Sequence, residues 1–301
     1  MTNNPTFEVI IVGGSYAGLS AALTLGRSLR NVLVIDSGKP CNEPTPHSHN
    51  FLTQDGKTPK EISTIAKAQV EKYESVTFLN GLAIKAEKTN VGYRVETSMG
   101  ATYNAKKLIL ASGIKDILPQ IKGFKECWGI SVIHCPYCHG YEVRHKKTGI
   151  LANGDAAMHY AKLINNLTDE LVLFTNGEST LSEEQTQQTK SHNITIIETE
   201  IEEVVQRNGQ IDHLLLKDQF KVSLSALYHG PRFLQHSDIP EQLGCEMTEQ
   251  GLITVDGLQR TTVPNVYACG DNSSMRTVAV AVASGMRAGA SVNFDLVSEA
   301  F

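Results

Sequence analysis

The segment from Phe7 to Asp36 constrains the fold of this chain more than any other part of the sequence. A mainly apolar run, Phe7 to Val12, enters the turn Gly13-Gly14-Ser15-Tyr16-Ala17-Gly18, and an apolar helical pattern follows. A second apolar run ends on Asp36. A strand, a glycine turn, a helix and a strand ending in an acid form a unit that binds a dinucleotide, because the helix N-terminus attracts the pyrophosphate and the acid accepts from ribose hydroxyls.

One residue of this turn departs from the G-x-G-x-x-G pattern. Ser15 replaces the second glycine, and its Cβ takes space that the backbone needs beside a phosphate, although its hydroxyl could donate to a phosphate oxygen. The alternative is an ordinary strand-to-helix turn that contains glycines. The complete unit favours cofactor binding, and the predicted cofactor-binding residues are Gly13, Gly14, Ser15, Ala17, Gly18 and Asp36.

A second, poorer copy of the unit lies downstream. The apolar run Thr148 to Leu151 leads into Ala152-Asn153-Gly154-Asp155-Ala156-Ala157, a helical pattern, and the apolar run Leu171 to Phe174. Ala152 stands where the first glycine is expected, and alanine would cost about 1–2 kcal/mol if the turn needs a positive φ there. Two such units predict two dinucleotides, and the predicted contacts of the second are Ala152, Gly154 and Ala157.

The segment Ile133-His134-Cys135-Pro136-Tyr137-Cys138-His139-Gly140 allows several interpretations. A C-x-x-C pair can be a redox dithiol, part of a zinc site, or inert, and C-x-x-C-H also fits the attachment site of c-type haem. A zinc site would need two more ligands, and no second C-x-x-C or H-x3-5-H follows, so we expect no metal. A redox dithiol, in which one thiol attacks a substrate disulfide and the other resolves the intermediate, is favoured.

Composition narrows the choice further. The chain has 301 residues, 41% of them hydrophobic, which is enough for two domains, and a formal charge of -5 with a pI near 6.1 argues against a nucleic-acid surface. The N-terminal stretch has no basic region before its apolar residues, and no run is long enough to span a bilayer, so we expect a cytoplasmic protein without membrane contact. Six cysteines are too few for a disulfide scaffold, and this compartment disfavours c-type haem.

The rest of the chain shows further predicted strands and two more motifs at strand ends. Short strands near Val76–Leu79, Gly81–Lys88 and Gly92–Thr97 suggest a small meander, and the strand from Lys107 to Ala111 closes on Ser112-Gly113. Near the C-terminus, a strand ends in Gly270-Asp271 and a long helix of small residues follows. An aspartate at this strand end can accept from ribitol hydroxyls, and the following helix N-terminus can stabilise negative charge on a flavin ring. The alternative is that Asp271 only caps a helix.

Taken in order, these motifs resemble the low-molecular-weight thioredoxin reductase family of flavin disulfide oxidoreductases over essentially the whole chain. The resemblance implies an α/β fold with two Rossmann-like dinucleotide-binding domains, the second inserted into the first. The implied boundaries are 1–114 and 232–301 for a FAD-binding domain and 115–231 for an NAD(P)-type domain that carries CPYC. It also implies cofactor contacts at Gly113, Gly270 and Asp271, and a homodimer.

By the same resemblance, NADPH or NADH would reduce FAD, Cys138 would face the flavin, and Cys135 would exchange with a thioredoxin-like protein or a small-molecule disulfide. The family often places an aspartate after the second cysteine as a proton donor, and here that position is His139. Because imidazole titrates near neutral pH, His139 is a candidate acid-base alongside a plain hydrogen-bonding role. The resemblance further implies a domain rotation between half-reactions.

Two features leave the direction of electron flow open. The sequence CPYCHGYE and the segment Cys41 to Leu52 resemble a branch that includes dithiol oxidases of the gliotoxin type, which oxidise a small dithiol and let flavin reduce oxygen. The strand end Phe174 to Gly177 lacks the arginines that NADPH-specific relatives use for the 2′-phosphate, and it lacks an acid for an NADH ribose. A dithiol oxidase is therefore the alternative function, and a non-enzymatic redox-sensing or haem-binding protein is the second alternative.

Overall fold

The computed structural model describes residues 6 to 301, which form two compact units. The first unit comprises the described residues up to Glu43, with Lys60–Lys115 and Phe233–Phe301. The second comprises Pro44–Pro59 and Asp116–Arg232. The second unit therefore includes Pro44–Pro59, which the implied domain boundaries give to the first domain.

The first unit is built on one sheet with helices packed against it. Its strands are β1 (Thr6–Val12), β2 (Val32–Asp36), β3 (Val76–Asn80), β4 (Ala83–Thr89), β5 (Gly92–Thr97), β6 (Thr102–Leu110) and β17 (Val266–Ala268). Its helices are α1 (Tyr16–Arg27), α2 (Pro59–Val70), α7 (Ile239–Gln242) and α8 (Val278–Ala300). This arrangement follows the predicted alternation of strands and helices.

The order of this sheet is β3-β2-β1-β6-β5-β4, with β17 also paired to β6. The pairs β3-β2, β2-β1, β1-β6 and β6-β17 are parallel, whereas β6-β5 and β5-β4 are antiparallel. The meander predicted for residues 76–97 is thus wrong for its first strand, because β3 extends the parallel part beside β2. Its apolar residues cover the edge of β2, and only β4, β5 and β6 form the meander.

The parallel strands carry the core of the first unit. Ile10, Leu33 and Leu108 are essentially fully buried in one cluster, as expected for strands that are covered on both faces. Helix α8 packs closely on α1 through glycines: a Cβ on Gly285 would lie 2.1 Å from the carbonyl oxygen of Ala17. The N-terminus of α1 is therefore held in a fixed position beside the carboxyl ends of β1 and β6.

The second unit has a parallel sheet and a small antiparallel one. Its strands are β8 (Val132–Ile133), β9 (Thr148–Leu151), β10 (Leu171–Phe174), β11 (Thr195–Ile197), β12 (Ile201–Arg207), β13 (Gln210–Leu216), β14 (Lys221–Ser223) and β15 (Ala226–His229). Its helices are α3 (Phe124–Cys127), α4 (Pro136–His139), α5 (Gly154–Ile164) and α6 (Glu183–Ser191), and a 3-10 turn spans Tyr141–Val143. The parallel order is β11-β10-β9-β15-β8, and β12-β13-β14 are antiparallel.

The chain passes between the units along two strands. β7 (Ile114–Ile117) and β16 (Arg232–Gln235) pair with each other as a two-stranded sheet. Each of the two compact units thus contains parallel strands and a strand-turn-helix motif whose strand belongs to the sheet. The predicted fold class, α/β with two Rossmann-like domains, is confirmed.

Candidate functional site

The glycine turn after β1 forms a tightly packed cradle in the first unit. Gly13 has a φ of +105°, and a Cβ there would lie 2.2 Å from the carbonyl oxygen of Ala111. A Cβ on Gly18 would lie 1.9 Å from the carbonyl oxygen of Gly13. No other residue fits at either position, because both contacts are with backbone atoms. The turn therefore brings bare backbone close to the N-terminus of α1.

The acid at the end of β2 is fixed against this turn. The backbone N–H of Gly14 donates to Oδ1 of Asp36 at 3.0 Å. Ser15 is the N-cap of α1, yet its hydroxyl makes no capping hydrogen bond. Gly14, Ser15 and Asp36 therefore lie together, as the sequence predicts. Asp36 is oriented by a backbone donor, and the Ser15 hydroxyl is not used by the helix.

Two further strand ends meet the same cradle. Ser112 follows β6, its backbone N would lie 3.1 Å from a Cβ on Gly13, and its hydroxyl is buried without a partner in the described structure. A Cβ on Gly113 would meet nothing within 4 Å, which means that open space lies beside it. Gly270, with a φ of +85°, follows β17 and contacts Ala17. The Ser112 hydroxyl can therefore form a hydrogen bond with a ligand that fills the open space.

Asp271 lies at the carboxyl end of β17 and contacts a thiol. The Sγ of Cys41 lies 3.6 Å from Oδ2 of Asp271. The next residue, Asn42, donates through its side chain to the Tyr16 hydroxyl at 3.2 Å. Cys41 and Asn42 thus connect Asp271 to the first residue of α1. The sequence does not predict the contact of Cys41 with Asp271, because it spans 230 positions of the chain.

The redox pair is closed in the second unit. Cys135 and Cys138 form a disulfide, with their Cα atoms 5.2 Å apart. Cys135 is the N-cap of the short helix α4, and Pro136 occupies its first turn, where no N–H donor is needed. The N–H of Cys138 donates to Sγ of Cys135 at 3.1 Å. This donor and the disulfide fix Sγ of Cys135 at the start of α4.

His139 directly follows the pair and is partly buried. Burial lowers the pKa of His139, the nearby Glu142 carboxylate opposes this, and His49 adds to the lowering. The sequence does not place Glu142 or His49 beside His139, and for His49 it allows either a place on the flavin face or an ordinary loop surface. Each looks like an ordinary surface charge in the sequence, and only the packing of Pro44–Pro59 within the second unit brings His49 to this place.

A buried phenol lies behind the redox helix. Tyr228, on β15, is completely buried, and its hydroxyl has no hydrogen-bond partner in the described structure. A Cβ on Gly140 would lie 3.0 Å from this hydroxyl and 2.4 Å from the carbonyl oxygen of Pro136. Burial is the main cause that raises the pKa of Tyr228, so the phenol stays neutral. Gly140 therefore allows α4 to pack directly on β15.

The second glycine turn has a different geometry from the first. The positive φ falls on Gly154, at +54°, and Ala152 does not have one, so the strain considered for alanine does not arise. Ala157 is fully buried in α5. Asn153 is the N-cap of α5, and its Oδ1 accepts from the N–H of Gly154 at 2.9 Å. The Asn153 side chain therefore accepts from the Gly154 N–H at the N-terminus of α5, a donor that a bound phosphate would otherwise use.

The same asparagine holds the loop that follows β10. Its Oδ1 also accepts from the N–H of Thr180 at 2.8 Å, and its Nδ2 donates to the carbonyl oxygen of Glu178 at 2.9 Å. The loop, residues 175–181, contains no lysine or arginine. Between Glu178 and Thr180, the N–H of Ser179 donates to Glu198 at 2.9 Å, which fixes the loop further. We call these three hydrogen bonds of Asn153 the Asn153 bridge.

Comparison with known proteins decides the family. The sequence model of the pyridine nucleotide-disulphide oxidoreductase family matches residues 7–285. The chain belongs to the pyridine nucleotide-disulphide oxidoreductase family. It is 31% identical to "Thioredoxin reductase tcpT" of Claviceps purpurea (strain 20.1), over 99% of this chain and 97% of that protein.

Solved structures agree with this family assignment. An oxidoreductase from Agrobacterium tumefaciens is 37% identical, with a TM-score of 0.91 over 97% of this chain and 99% of that one. The putative thioredoxin reductase TrxB from Bacillus anthracis is 29% identical, with a TM-score of 0.94 over 98% and 100%. The chain is thus a thioredoxin reductase-like, FAD-dependent oxidoreductase, and this prediction is confirmed. The pyridine nucleotide-disulphide oxidoreductases use FAD and NAD(P)H.

The two cradles fit these cofactors unequally. The first offers bare backbone at Gly13 and Gly18, an oriented carboxylate and a buried hydroxyl without a partner, and these fit FAD. In the second, the Asn153 bridge uses a donor and fixes the loop next to the helix N-terminus. Among residues 6–301, no group of three or more His, Cys, Asp and Glu side chains could hold a metal ion. In the same residues, every helix is too short or too polar to cross a membrane.

Proposed function

We propose that this oxidoreductase is a FAD-dependent dithiol oxidase, in which a small-molecule dithiol reduces the Cys135–Cys138 disulfide. Bound FAD would supply the two-electron acceptor for the reduced pair, with oxygen as the final oxidant. The observation that carries this direction is the Asn153 bridge, because it disfavours a nicotinamide nucleotide as the electron source.

The energetic argument rests on the hydrogen bonds that a nucleotide would have to displace. A pyrophosphate at the N-terminus of α5 needs the N–H of Gly154, which donates to Asn153. Breaking the three neutral hydrogen bonds of the bridge would cost about 1 kcal/mol each, which corresponds to roughly a hundredfold in affinity. The loop also lacks basic side chains that could compensate by binding a 2′-phosphate.

The chemistry of the pair follows from thiol–disulfide exchange. One substrate thiolate attacks Sγ of Cys135, the S–S bond breaks, and Cys138 leaves as a thiolate. The second substrate sulfur then displaces Cys135, which gives the substrate disulfide and two reduced cysteines. Of the two substrate protons, the one lost from the attacking thiol passes to His139, whose lowered pKa keeps the imidazole neutral and able to accept it, and the one from the second thiol passes to the sulfur of Cys135 as it leaves.

The cofactor contacts of the first unit are part of the proposal. The backbone of Gly13, Gly14 and Gly18 and the Ser15 hydroxyl would contact the pyrophosphate, and Asp36 would accept from ribose hydroxyls. Gly113 would leave space beside the cofactor, Gly270 would let the end of β17 approach Ala17 closely, and Asp271 would accept from the ribitol chain. Ala17 supports this arrangement by holding α8 through Gly285.

The second candidate is a reductase that passes electrons from NADPH or NADH through FAD and the pair to a disulfide. It is favoured by the family match and by relatives that bear the name thioredoxin reductase. Ala152, Gly154 and Ala157 would then contact the nucleotide once the Asn153 bridge opens. The substrate would be a thioredoxin-like protein or a small disulfide.

An anaerobic titration separates the two candidates. The purified FAD-bound protein is titrated with dithiothreitol, NADPH and NADH in separate experiments, and the flavin absorption band is followed. We expect bleaching by dithiothreitol and none by the nucleotides at stoichiometric amounts. The Cys138→Ser variant is the control, because it should keep FAD and lose bleaching by dithiothreitol. Stoichiometric bleaching by either nucleotide would overturn the oxidase direction and establish the reductase.

We also propose that the protein is a cytoplasmic homodimer. Support for the dimer comes from α8, where Met286, Phe294 and Val297 are 51%, 64% and 48% exposed. Their spacing of eight and three residues places them along one side of the helix. A row of exposed apolar side chains on one helix is suited to a second copy of the same surface.

A further inference from the structure

A carboxylate beside the redox pair contacts one histidine and acts electrostatically on a second. Glu142 lies in the 3-10 turn three positions after His139, a spacing that brings side chains to one face of consecutive helical turns. His49 approaches the same carboxylate from Pro44–Pro59, with its Nε2 3.6 Å from Oε1 of Glu142. The negative charge of Glu142 therefore lies against His49 and acts on His139 through space.

His49 is held in this position by its own loop. Its Nδ1 lies 3.5 Å from Oδ2 of Asp55, while Oδ1 of Asp55 accepts from the N–H of Asn50 at 2.8 Å. The N–H of Gly56 donates to the carbonyl oxygen of Ser48 at 2.9 Å, which closes the loop behind the imidazole. The His49 side chain is only 21% exposed, unlike an ordinary histidine on a surface loop. This arrangement gives the Glu142 carboxylate a defined neighbour.

We propose that Glu142 is a positioning residue for His139, supplying the negative charge that this imidazole needs when it holds a substrate proton, and that His49 competes for the same charge. The inference rests on the proposed function for the reaction that delivers the proton. It does not depend on the direction of electron flow, because the reductase reaction returns the same proton from the same imidazole. Neither Glu142 nor His49 is proposed to touch the reacting sulfur atoms.

The charges around His139 fix the sign of each effect. Burial disfavours the imidazolium, Glu142 favours it, and His49 disfavours it. On β15, behind α4, the phenol of Tyr228 stays neutral. The sulfur atoms of Cys135 and Cys138 carry no charge while the disulfide is closed. Glu142→Gln should therefore lower the pKa of His139, and His49→Gln should raise it.

A histidine titration tests these signs directly. The FAD-bound, oxidised protein is labelled on its histidine side chains, and each imidazole is titrated by NMR, with the His139 signal assigned by its loss in His139→Gln. We expect the His139 midpoint to move to lower pH in Glu142→Gln and to higher pH in His49→Gln. Glu142→Asp should restore part of the shift, because it keeps the charge. His47→Gln is the matched control: it removes an imidazole of the same loop that bonds to Gly56, and it should leave the midpoint unchanged.

A second measurement connects the titration to the reaction. The rate of anaerobic flavin bleaching by dithiothreitol is measured against pH for the same variants. The part of this pH profile that depends on His139 should move to lower pH in Glu142→Gln and to higher pH in His49→Gln. Midpoints that stay in place, or that move the same way in Glu142→Gln and His49→Gln, would refute the shared carboxylate. If dithiothreitol never bleaches the flavin, the proposed function fails, while the NMR titration still decides the role of Glu142.

Discussion

At the scale of single residues, His139 is the group whose chemistry should matter most after the two cysteines. Replacement by alanine removes the acceptor of the substrate proton, and general acid-base groups contribute about 10²-fold or more. We expect His139→Ala to slow anaerobic bleaching by dithiothreitol about a hundredfold near pH 7, with FAD still bound. Stopped-flow absorption measures the rate, and the flavin content is checked after gel filtration. An unchanged rate would leave His139 with a structural role only.

Tyr228 allows a prediction about stability. Its buried hydroxyl has no partner in the described structure, and an unsatisfied buried hydroxyl costs about 1–3 kcal/mol. We expect Tyr228→Phe to raise the free energy of unfolding by about 1 kcal/mol. The measurement is urea denaturation followed by the fluorescence of Trp128, the single tryptophan, which lies in the second unit.

The matched control for Tyr228 is Tyr160, whose hydroxyl donates to the carbonyl oxygen of His134 at 3.1 Å. Tyr160→Phe removes a hydrogen bond and should lower stability by about 1 kcal/mol. A loss of stability in both variants would mean that the Tyr228 hydroxyl has a stabilising partner, such as a buried water.

At the scale of elements, the Asn153 bridge joins the turn after β9 to the loop after β10. Asn153→Gly removes all three hydrogen bonds and frees the N–H of Gly154, which a pyrophosphate at the N-terminus of α5 would need. We expect this variant to be bleached by NADH or NADPH at concentrations roughly a hundredfold lower than the wild type requires. The measurement is the same anaerobic titration.

Asn176→Gly provides the control for this change. Asn176 has a φ of +53°, so glycine is tolerated there, and its side chain accepts from the N–H of Ile201 without contacting Asn153. It should leave nucleotide bleaching as in the wild type. Equal behaviour of both variants and the wild type would show that the bridge does not limit nucleotide binding.

The two turns also show how far sequence reasoning reaches. The first was predictable down to Asp36, because strand, turn, helix and acid are contiguous and each has a local signature. The closure of the second was not, because it depends on a side chain of Asn153 that reaches 27 positions along the chain to Thr180. The contact of His49 with Glu142 was not predictable for the same reason, since no local pattern shows that Pro44–Pro59 packs within the second unit.

At the scale of the whole molecule, two buried histidines link stability to pH. Burial is the main cause that lowers the pKa values of His139 and His229 below the unfolded value near 6.5. The folded state then binds fewer protons than the unfolded chain as the pH falls, so stability is full above about pH 6.5 and decreases below it. We expect the urea midpoint reported by Trp128 to decrease from pH 7.5 to pH 5.5.

The double variant His139→Asn, His229→Asn tests the origin of this dependence. It should be less stable at pH 7.5, because His229 also bonds to the carbonyl oxygen of Leu151, but its midpoint should change less with pH. If the pH dependence of the midpoint is the same as in the wild type, other groups are responsible.

The exposed side of α8 gives a prediction about assembly. A phenylalanine side chain buried at an interface contributes about 1.5–3 kcal/mol, and in a two-fold dimer each substitution occurs twice. We expect Phe294→Glu to give a monomer at micromolar concentration, measured by size-exclusion chromatography with light scattering. Phe220→Glu is the control, because Phe220 is 61% exposed and lies in the second unit. A wild-type monomer, or a dimer that survives Phe294→Glu, would contradict this assignment.

The discontinuous first unit has a consequence for synthesis on the ribosome. Its sheet needs β17 beside β6, and its helix α1 needs α8, and both β17 and α8 are made after the second unit. The second unit is complete once Arg232 has emerged. The nascent chain must therefore carry an unfinished first unit with α1 uncovered while the inserted unit folds, and the FAD cradle can close only after β17 and α8 have emerged. A ribosome-stalled chain in which Arg232 has emerged and β17 has not should hold a protease-resistant second unit and no flavin.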